Sequence, residues 1–190
     1  MLIISNPKAG DQKGTQFLKE HVIPLLTRYP GSVPIAFEET NARLEAGIIA
    51  LKYLRRISEG SIQEEPVILI SGGDTTIHEV VNGIVGLKQA ASVIIVPSGT
   101  ANALYHSLFP PKGRALFLQE LASPIREVAE TIDEEIRGKL YAILAFLAGG
   151  ATRQLYSTRT KILGATGEVT KEIVSCVVVS ACKCIMIVQQ

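Results

Sequence analysis

The sequence predicts an α/β fold, a parallel sheet covered by helices on both faces, and three observations carry that prediction. Short unbroken apolar runs at residues 2–4, 67–70 and 93–96 read as strands buried on both faces. After the second run the period changes, and Ile77, Val80, Val81 and Ile84 recur on one face of a helix. Strands alternate with helices from residue 2 to about residue 108, as βαβ units require.

Each element follows from local pattern. Residues 2–4 form the first strand, and Ser5-Asn-Pro-Lys-Ala-Gly10 turns away from it. A helix is expected from about Thr15, with Phe17, His21, Val22 and Leu25 sharing a face and Pro24 kinking or ending it. Residues 33–37 are a second strand. A longer helix after Glu38-Glu-Thr-Asn41 places Leu44, Ile48, Leu51 and Leu54 on its apolar side. The third strand, 67–70, runs into Gly72 and Gly73, with Asp74 at the tip and a helix that Gly86 caps. Residues 93–96 lead through Pro97-Ser-Gly-Thr-Ala-Asn102 to a short helix ending at Pro110-Pro111. Beyond it, a helix is expected over 112–121, a strand over 125–132, a helix over 137–147 stopped by Gly149-Gly150, and a strand over 173–181.

Composition narrows the function. A chain of 190 residues with 47% hydrophobic and 19% charged residues can bury a core and is not disordered. A net charge of +1 argues against a nucleic-acid partner. The N-terminus lacks the basic segment of a signal peptide. The longest apolar stretch, 173–188, contains Ser175, Ser180 and Lys183 and falls short of the roughly 20 residues that span a bilayer. A cytoplasmic protein is expected, with any membrane contact peripheral. Cys176, Cys182 and Cys184 form neither a secreted disulfide pattern nor a zinc site and are expected to be free thiols.

Three strands end alike, in Asn6-Pro-Lys-Ala-Gly10, Gly72-Gly-Asp-Thr-Thr76 and Pro97-Ser-Gly-Thr100. A parallel sheet puts all three loops at its carboxyl edge, where such sheets bind ligands. Glycines, free N–H groups and helix starts suit phosphate. Neither the Walker loop nor the dinucleotide-binding glycine fingerprint is present. In this order and spacing, Asn-Pro-Lys-Ala-Gly, Gly-Gly-Asp-x-Thr-x-x-Glu-Val-Val-Asn-Gly and Pro-Ser-Gly-Thr-Ala-Asn-Ala resemble the catalytic domain of the diacylglycerol kinase family, which includes the sphingosine and ceramide kinases. The likeness runs well from residue 1 to about residue 110.

That resemblance implies a three-layer nucleotide-binding domain of the lipid kinase and NAD kinase-like type over 1–130. A connecting helix and the start of a β-rich domain, largely missing, would occupy 131–190. It implies an ATP-dependent, Mg²⁺-assisted kinase acting on a lipid hydroxyl of diacylglycerol or a sphingoid base. Asn6, Pro7, Lys8 and Thr40 would approach the nucleotide, as would Gly72, Gly73, Thr75, Glu79, Ser98, Gly99 and Thr100. Asp74 would be the general base. No metal ligand is assigned; Mg²⁺ on phosphates usually needs only one or two protein carboxylates, so the lack of an acidic cluster is no objection. Thr75 departs from the family's fourth-position glycine. The alternatives are a non-catalytic truncated nucleotide-binding fragment, or a kinase of the NAD kinase-like kind acting on a soluble substrate.

Local roles stand beside these. Asp74 suits a turn or cap, and Glu79 with Thr76 a capping box. Lys8 suits a solvated loop, His78 a helix surface and Asn82 a helix-local hydrogen bond. Ser98 to Thr100 suit an ordinary turn in which Thr100 caps the next helix.

Overall fold

The computed structural model describes residues 1–28, 34–60, 65–87, 91–149, 152–163, 168–177 and 185–188. Strands β1 (Leu2–Ser5), β2 (Ala36–Glu39), β3 (Val67–Gly72) and β4 (Ser92–Pro97) pair in parallel in the order β2-β1-β3-β4. The expected sheet is therefore present. Its central strands read as unbroken apolar runs because both faces are covered: Ile3, Ile4, Ile68, Leu69 and Ile70 are fully buried. Register sets Ser5 beside Ser71 and Gly72 beside Pro97, so the three loops leave the sheet in one row.

Three helical pieces follow β1: α1 (Gly14–Phe17), a π-helical stretch over Leu18–Val22, and α2 (Ile23–Arg28). Pro24 does not end this run. The wide π turn comes just before it, with the Ile23 N–H reaching the Leu18 carbonyl five residues back, and the chain stays helical beyond the proline.

The apolar side expected for the next helix is also corrected. In α3 (Glu45–Glu59) the buried residues are Ala46, Gly47, Ala50 and Leu54, whereas Leu44 is 60% and Ile48 50% exposed. Leu44 precedes the helix in a left-handed backbone conformation, φ 66°. The reason is the neighbour, α4 (Asp74–Ile84), which approaches backbone to backbone. A Cβ on Gly47 would lie 2.4 Å from the Glu79 carbonyl oxygen, and one on Gly83 would lie 2.5 Å from the Gly47 Cα. Gly83→Ala is expected to force the helices apart and destabilise the fold by about 1–3 kcal/mol, as overpacking does. Urea denaturation measures this; an unchanged midpoint would refute the close contact.

Beyond β4 come α5 (Ala103–Leu108), a 3₁₀ turn at Pro111–Gly113, α6 (Arg114–Glu120), α7 (Ser123–Thr131) and α8 (Glu134–Leu147). The strand expected over 125–132 is helix α7. Pro124 opens it, Ile125 and Ala129 are buried four residues apart, and Ser123 bonds Glu127 at 2.8 Å over the same interval. Asp133 caps α8 by accepting the Glu135 and Ile136 amides, and Leu140 to Ala145 lie buried along it. The sheet continues beyond β4 through β7 (Ile185–Val188), antiparallel to β4, then β5 (Thr152–Leu163) and β6 (Val169–Val177), which pair as a hairpin. Sequence pattern had not marked β5. Val33, Gly150, residues 178–181, Cys182 and Cys184 lie outside the described residues. Among the described residues no helix is long and apolar enough to cross a membrane.

Candidate active site

The site begins with serines near the ends of two apolar strands. Ser5, the last residue of β1, and Ser71, the last but one of β3, are both fully buried. Buried hydroxyls need partners. The Ser5 hydroxyl is hydrogen-bonded to that of Thr15 at 2.8 Å, and the Ser71 hydroxyl to that of Ser98 at 3.1 Å. Asn6 donates its backbone N–H to the Ser71 carbonyl at 2.9 Å and its side-chain amide to the Thr76 hydroxyl at 2.9 Å. This floor ties all three strand ends together.

Glycines let the loops lie on one another. A Cβ on Gly10, at φ 53°, would meet the Ser98 carbonyl oxygen at 2.3 Å, and one on Gly99 would sit 2.3 Å from the Gly73 Cα. The Ser98 N–H also donates to the Gly72 carbonyl at 3.2 Å. Asn6, Gly72, Gly73, Ser98 and Gly99 are thus gathered in direct contact, with Pro7 half-buried beside them.

Lys8 is exposed but placed: its ammonium donates to the Asn41 carbonyl at 3.2 Å. The neighbouring Thr40 is buried, its N–H bonded to the Ser5 carbonyl at 2.9 Å. Glu45 closes this loop by accepting the Asn41 and Ala42 amides at 2.6 and 3.0 Å, which hold its carboxyl below the usual carboxylate range.

Asp74 opens α4, and its carboxylate reaches across to α5. One oxygen accepts the Ala103 N–H at 2.8 Å and the other the Leu104 N–H at 3.0 Å. It therefore caps a helix 29 residues downstream. Asn102, not Thr100, occupies the N-cap position of α5, at φ 50°. On its far side α5 is anchored by Tyr105, fully buried, whose hydroxyl donates to the Gly138 carbonyl at 2.8 Å. Burial pushes that phenol far above its ordinary pKa, so it stays a neutral donor.

Other expectations are corrected. α4 begins at Asp74 with Gly73 as N-cap, so Thr76 is its third residue and no Thr76–Glu79 capping box exists. Glu79 stands half-buried in the second turn, and among the described residues no recorded bond joins its side chain to the three loops. Thr75 is exposed in the first turn of α4. The described non-glycine residues with positive φ are Gln12, Leu44 and Asn102, so the residue in the glycine position carries no such strain. Thr100 is exposed at the rim. Asn82 bonds the His78 carbonyl within its own helix at 2.8 Å. The sequence assigns Ser5, Ser71 and Asn102 no site role and Thr76 only a capping role; a serine near the end of an otherwise apolar strand was the available signal for the first two.

Phosphate groups fit this corner. α4 has no side-chain cap, so its leading N–H groups stand beside the Gly72–Gly73 turn, with Asn6 bonded to Thr76 in the first turn. For magnesium the donor set is sparse: Asp74 is the carboxylate at the corner. No group of three or more His, Cys, Asp or Glu able to hold a metal occurs among the described residues. Hollows of about 600 and 310 Å³ flank the third loop, sharing Pro97, Glu135 and Lys139 in their walls.

A family model described as the diacylglycerol kinase catalytic domain matches residues 1–137. A diacylglycerol kinase of Bacillus subtilis (strain 168) is 28% identical over 169 residues, covering 87% of this chain and 51% of its own. A crystal structure of a diacylglycerol kinase from Bacillus anthracis str. Sterne is 29% identical, with a TM-score of 0.44 over 60% of this chain and 36% of that one. The chain spans about half the length of the curated relative it matches.

Proposed function

Since the chain belongs to the diacylglycerol kinase catalytic domain family, we propose that its carboxyl-edge corner transfers the γ-phosphate of ATP to a lipid hydroxyl, of diacylglycerol or of a sphingoid base. The observation that supports this reading most is the convergence of the three strand-end loops, with Asp74 fixed at their junction by two backbone N–H groups. The relative's name favours diacylglycerol as the substrate.

The residues present divide the work. Asn6, Pro7, Lys8 and Thr40 form one wall for the nucleotide, with Ser98, Gly99 and Thr100 opposite. The Gly72–Gly73 turn, Thr75 and the head of α4 supply N–H groups to phosphate. Glu79 completes the nucleotide contacts from the second turn of α4. An ionised carboxylate accepts at about four sites. Two on Asp74 are taken by amides, and the others remain to accept the proton of the substrate hydroxyl. As the alcohol oxygen bonds to the γ-phosphorus, the bond from that phosphorus to the ADP oxygen breaks, and the proton passes to Asp74. Magnesium, when bound, neutralises phosphate charge. Positioning supplies most of the acceleration.

A lipid substrate places the reaction at a membrane surface, reached from the cytoplasm as a peripheral contact. The organisation that goes with this reading is an α/β unit over 1–130 followed by a connecting helix and a β-rich segment over 131–190.

Incubating the 190-residue chain with ATP, Mg²⁺ and vesicles carrying diacylglycerol or sphingosine should yield the phosphorylated lipid. No product above an Asp74→Asn control refutes kinase activity for this chain. ATP binding without turnover would leave a nucleotide-binding role, and phosphorylation of NAD in place of lipid would reassign the acceptor.

A further inference from the structure

We propose that Asn102 is a positioning residue that holds Asp74 in place by locking together the loops after β3 and β4; as a catalytic role, this rests on the kinase reading above. Neither motif reading nor family resemblance assigned Asn102 a role. Its backbone lies in the left-handed region, φ 50° and ψ 41°, which asparagine tolerates better than most side chains. The side chain then folds back on the turn before it. Its Oδ1 accepts the Gly99 N–H at 2.9 Å, and its Nδ2 donates to the Gly99 carbonyl at 2.7 Å. One amide thus satisfies both backbone groups of a single residue.

That residue is the one pressed against the Gly-Gly-Asp corner. No side chain fits between Gly99 and Gly73. The left-handed turn at Asn102 also aims the chain so that the next two N–H groups, of Ala103 and Leu104, meet the Asp74 carboxylate. The Asn102 carbonyl accepts the His106 N–H at 3.0 Å, which fixes the first turn of α5. The result is a closed ring running from Gly73 to Asp74, across to Ala103 and Leu104, back through Asn102 to Gly99, and onto Gly73. Asp74 makes two of its bonds to backbone whose course Asn102 sets. Release of the Asn102 amide frees the Gly99 turn and lets those two donors drift from the carboxylate. A displacement of about 1 Å at a reacting group can cost on the order of 10²-fold in rate.

Asn102→Gly tests this, because glycine keeps the left-handed backbone and removes only the amide. Two measurements are made on the whole chain. Amide hydrogen exchange at Ala103 and Leu104 reports the Asp74 bonds without reference to catalysis, with Ile70 and Ile95 in the sheet as controls. Exchange at residues 103 and 104 is expected to accelerate at least tenfold while the controls hold. With lipid as acceptor, kcat is expected to fall about 10- to 100-fold, with KM for ATP changed less than about threefold. Asn102→Asp keeps the acceptor for the Gly99 N–H but sets a carboxylate oxygen against the Gly99 carbonyl in place of the donor, and should show losses in both. It serves in place of the glycine variant if the control amides also lose protection. Unchanged exchange at Ala103 and Leu104 overturns the proposal. So does faster exchange with unchanged kcat, which would make the ring purely structural. A wild-type chain that phosphorylates no lipid overturns the kinase reading and with it the positioning role; the exchange data still separate that failure from the absence of the ring.

Discussion

Asp74→Asn is expected to lower kcat on the lipid acceptor by roughly 10²- to 10⁴-fold, the range for a lost general base. The structure makes a second effect unavoidable. Both carboxylate oxygens accept backbone N–H groups, and an amide presents its NH₂ to one of them. That loses a cap, worth about 1 kcal/mol of stability. The two effects are separable by size and by assay. A cap loss lowers the urea midpoint but leaves most molecules folded under assay conditions, so it cannot account for a rate loss of a hundredfold. Initial rates at saturating ATP, read beside a urea titration, decide between them. A kcat within about threefold of wild type, with a lowered midpoint, would leave Asp74 as a helix cap alone.

The ring around Asp74 also explains which parts of the molecule were legible in the sequence. Strands β1, β3 and β4 were visible because a strand covered on both faces must be apolar throughout. Helix α3 was visible as a helix, but its buried face was misread. Apolar periodicity favours large residues such as Leu44 and Ile48, while the packing turns on Gly47 meeting Gly83, where the signal is the absence of a side chain. α7 stands where a strand was expected over 125–132, and the signal for a helix is its Ser123-Pro124 start. In the site, the glycines, Asn6 and Asp74 stood out by motif and spacing. The contact of Asp74 with α5 did not, because its partners are main-chain N–H groups of an alanine and a leucine. Backbone donors leave no trace in a sequence. Thr75 was readable as a departure from the family pattern, but its ordinary helical backbone was not, since that depends on α4 starting at Asp74.

Gly99→Ala is expected to damage both stability and activity. The added Cβ would lie 2.3 Å from the Gly73 Cα, 2.9 Å from the Gly73 nitrogen and 3.0 Å from the Asn102 Oδ1. The first two are backbone atoms, so no rotamer change relieves the contact. The loops must separate by about 1 Å to reach ordinary van der Waals distance. That movement strains the bond from the Ser98 N–H to the Gly72 carbonyl and the paired bonds of Asn102 to Gly99. It also carries the head of α5 away from Asp74. Overpacking of this kind costs about 1–3 kcal/mol. Misplacement at the reacting corner costs on the order of 10²-fold in kcat/KM. Gly113→Ala is the control, since its Cβ would meet only the Pro110 Cγ at 3.6 Å, an ordinary contact. Urea midpoints and lipid kinase kinetics on the two variants should therefore diverge. A Gly99→Ala protein with wild-type midpoint and kinetics would mean that the loops after β3 and β4 do not touch, and the site built on their contact would fall with it.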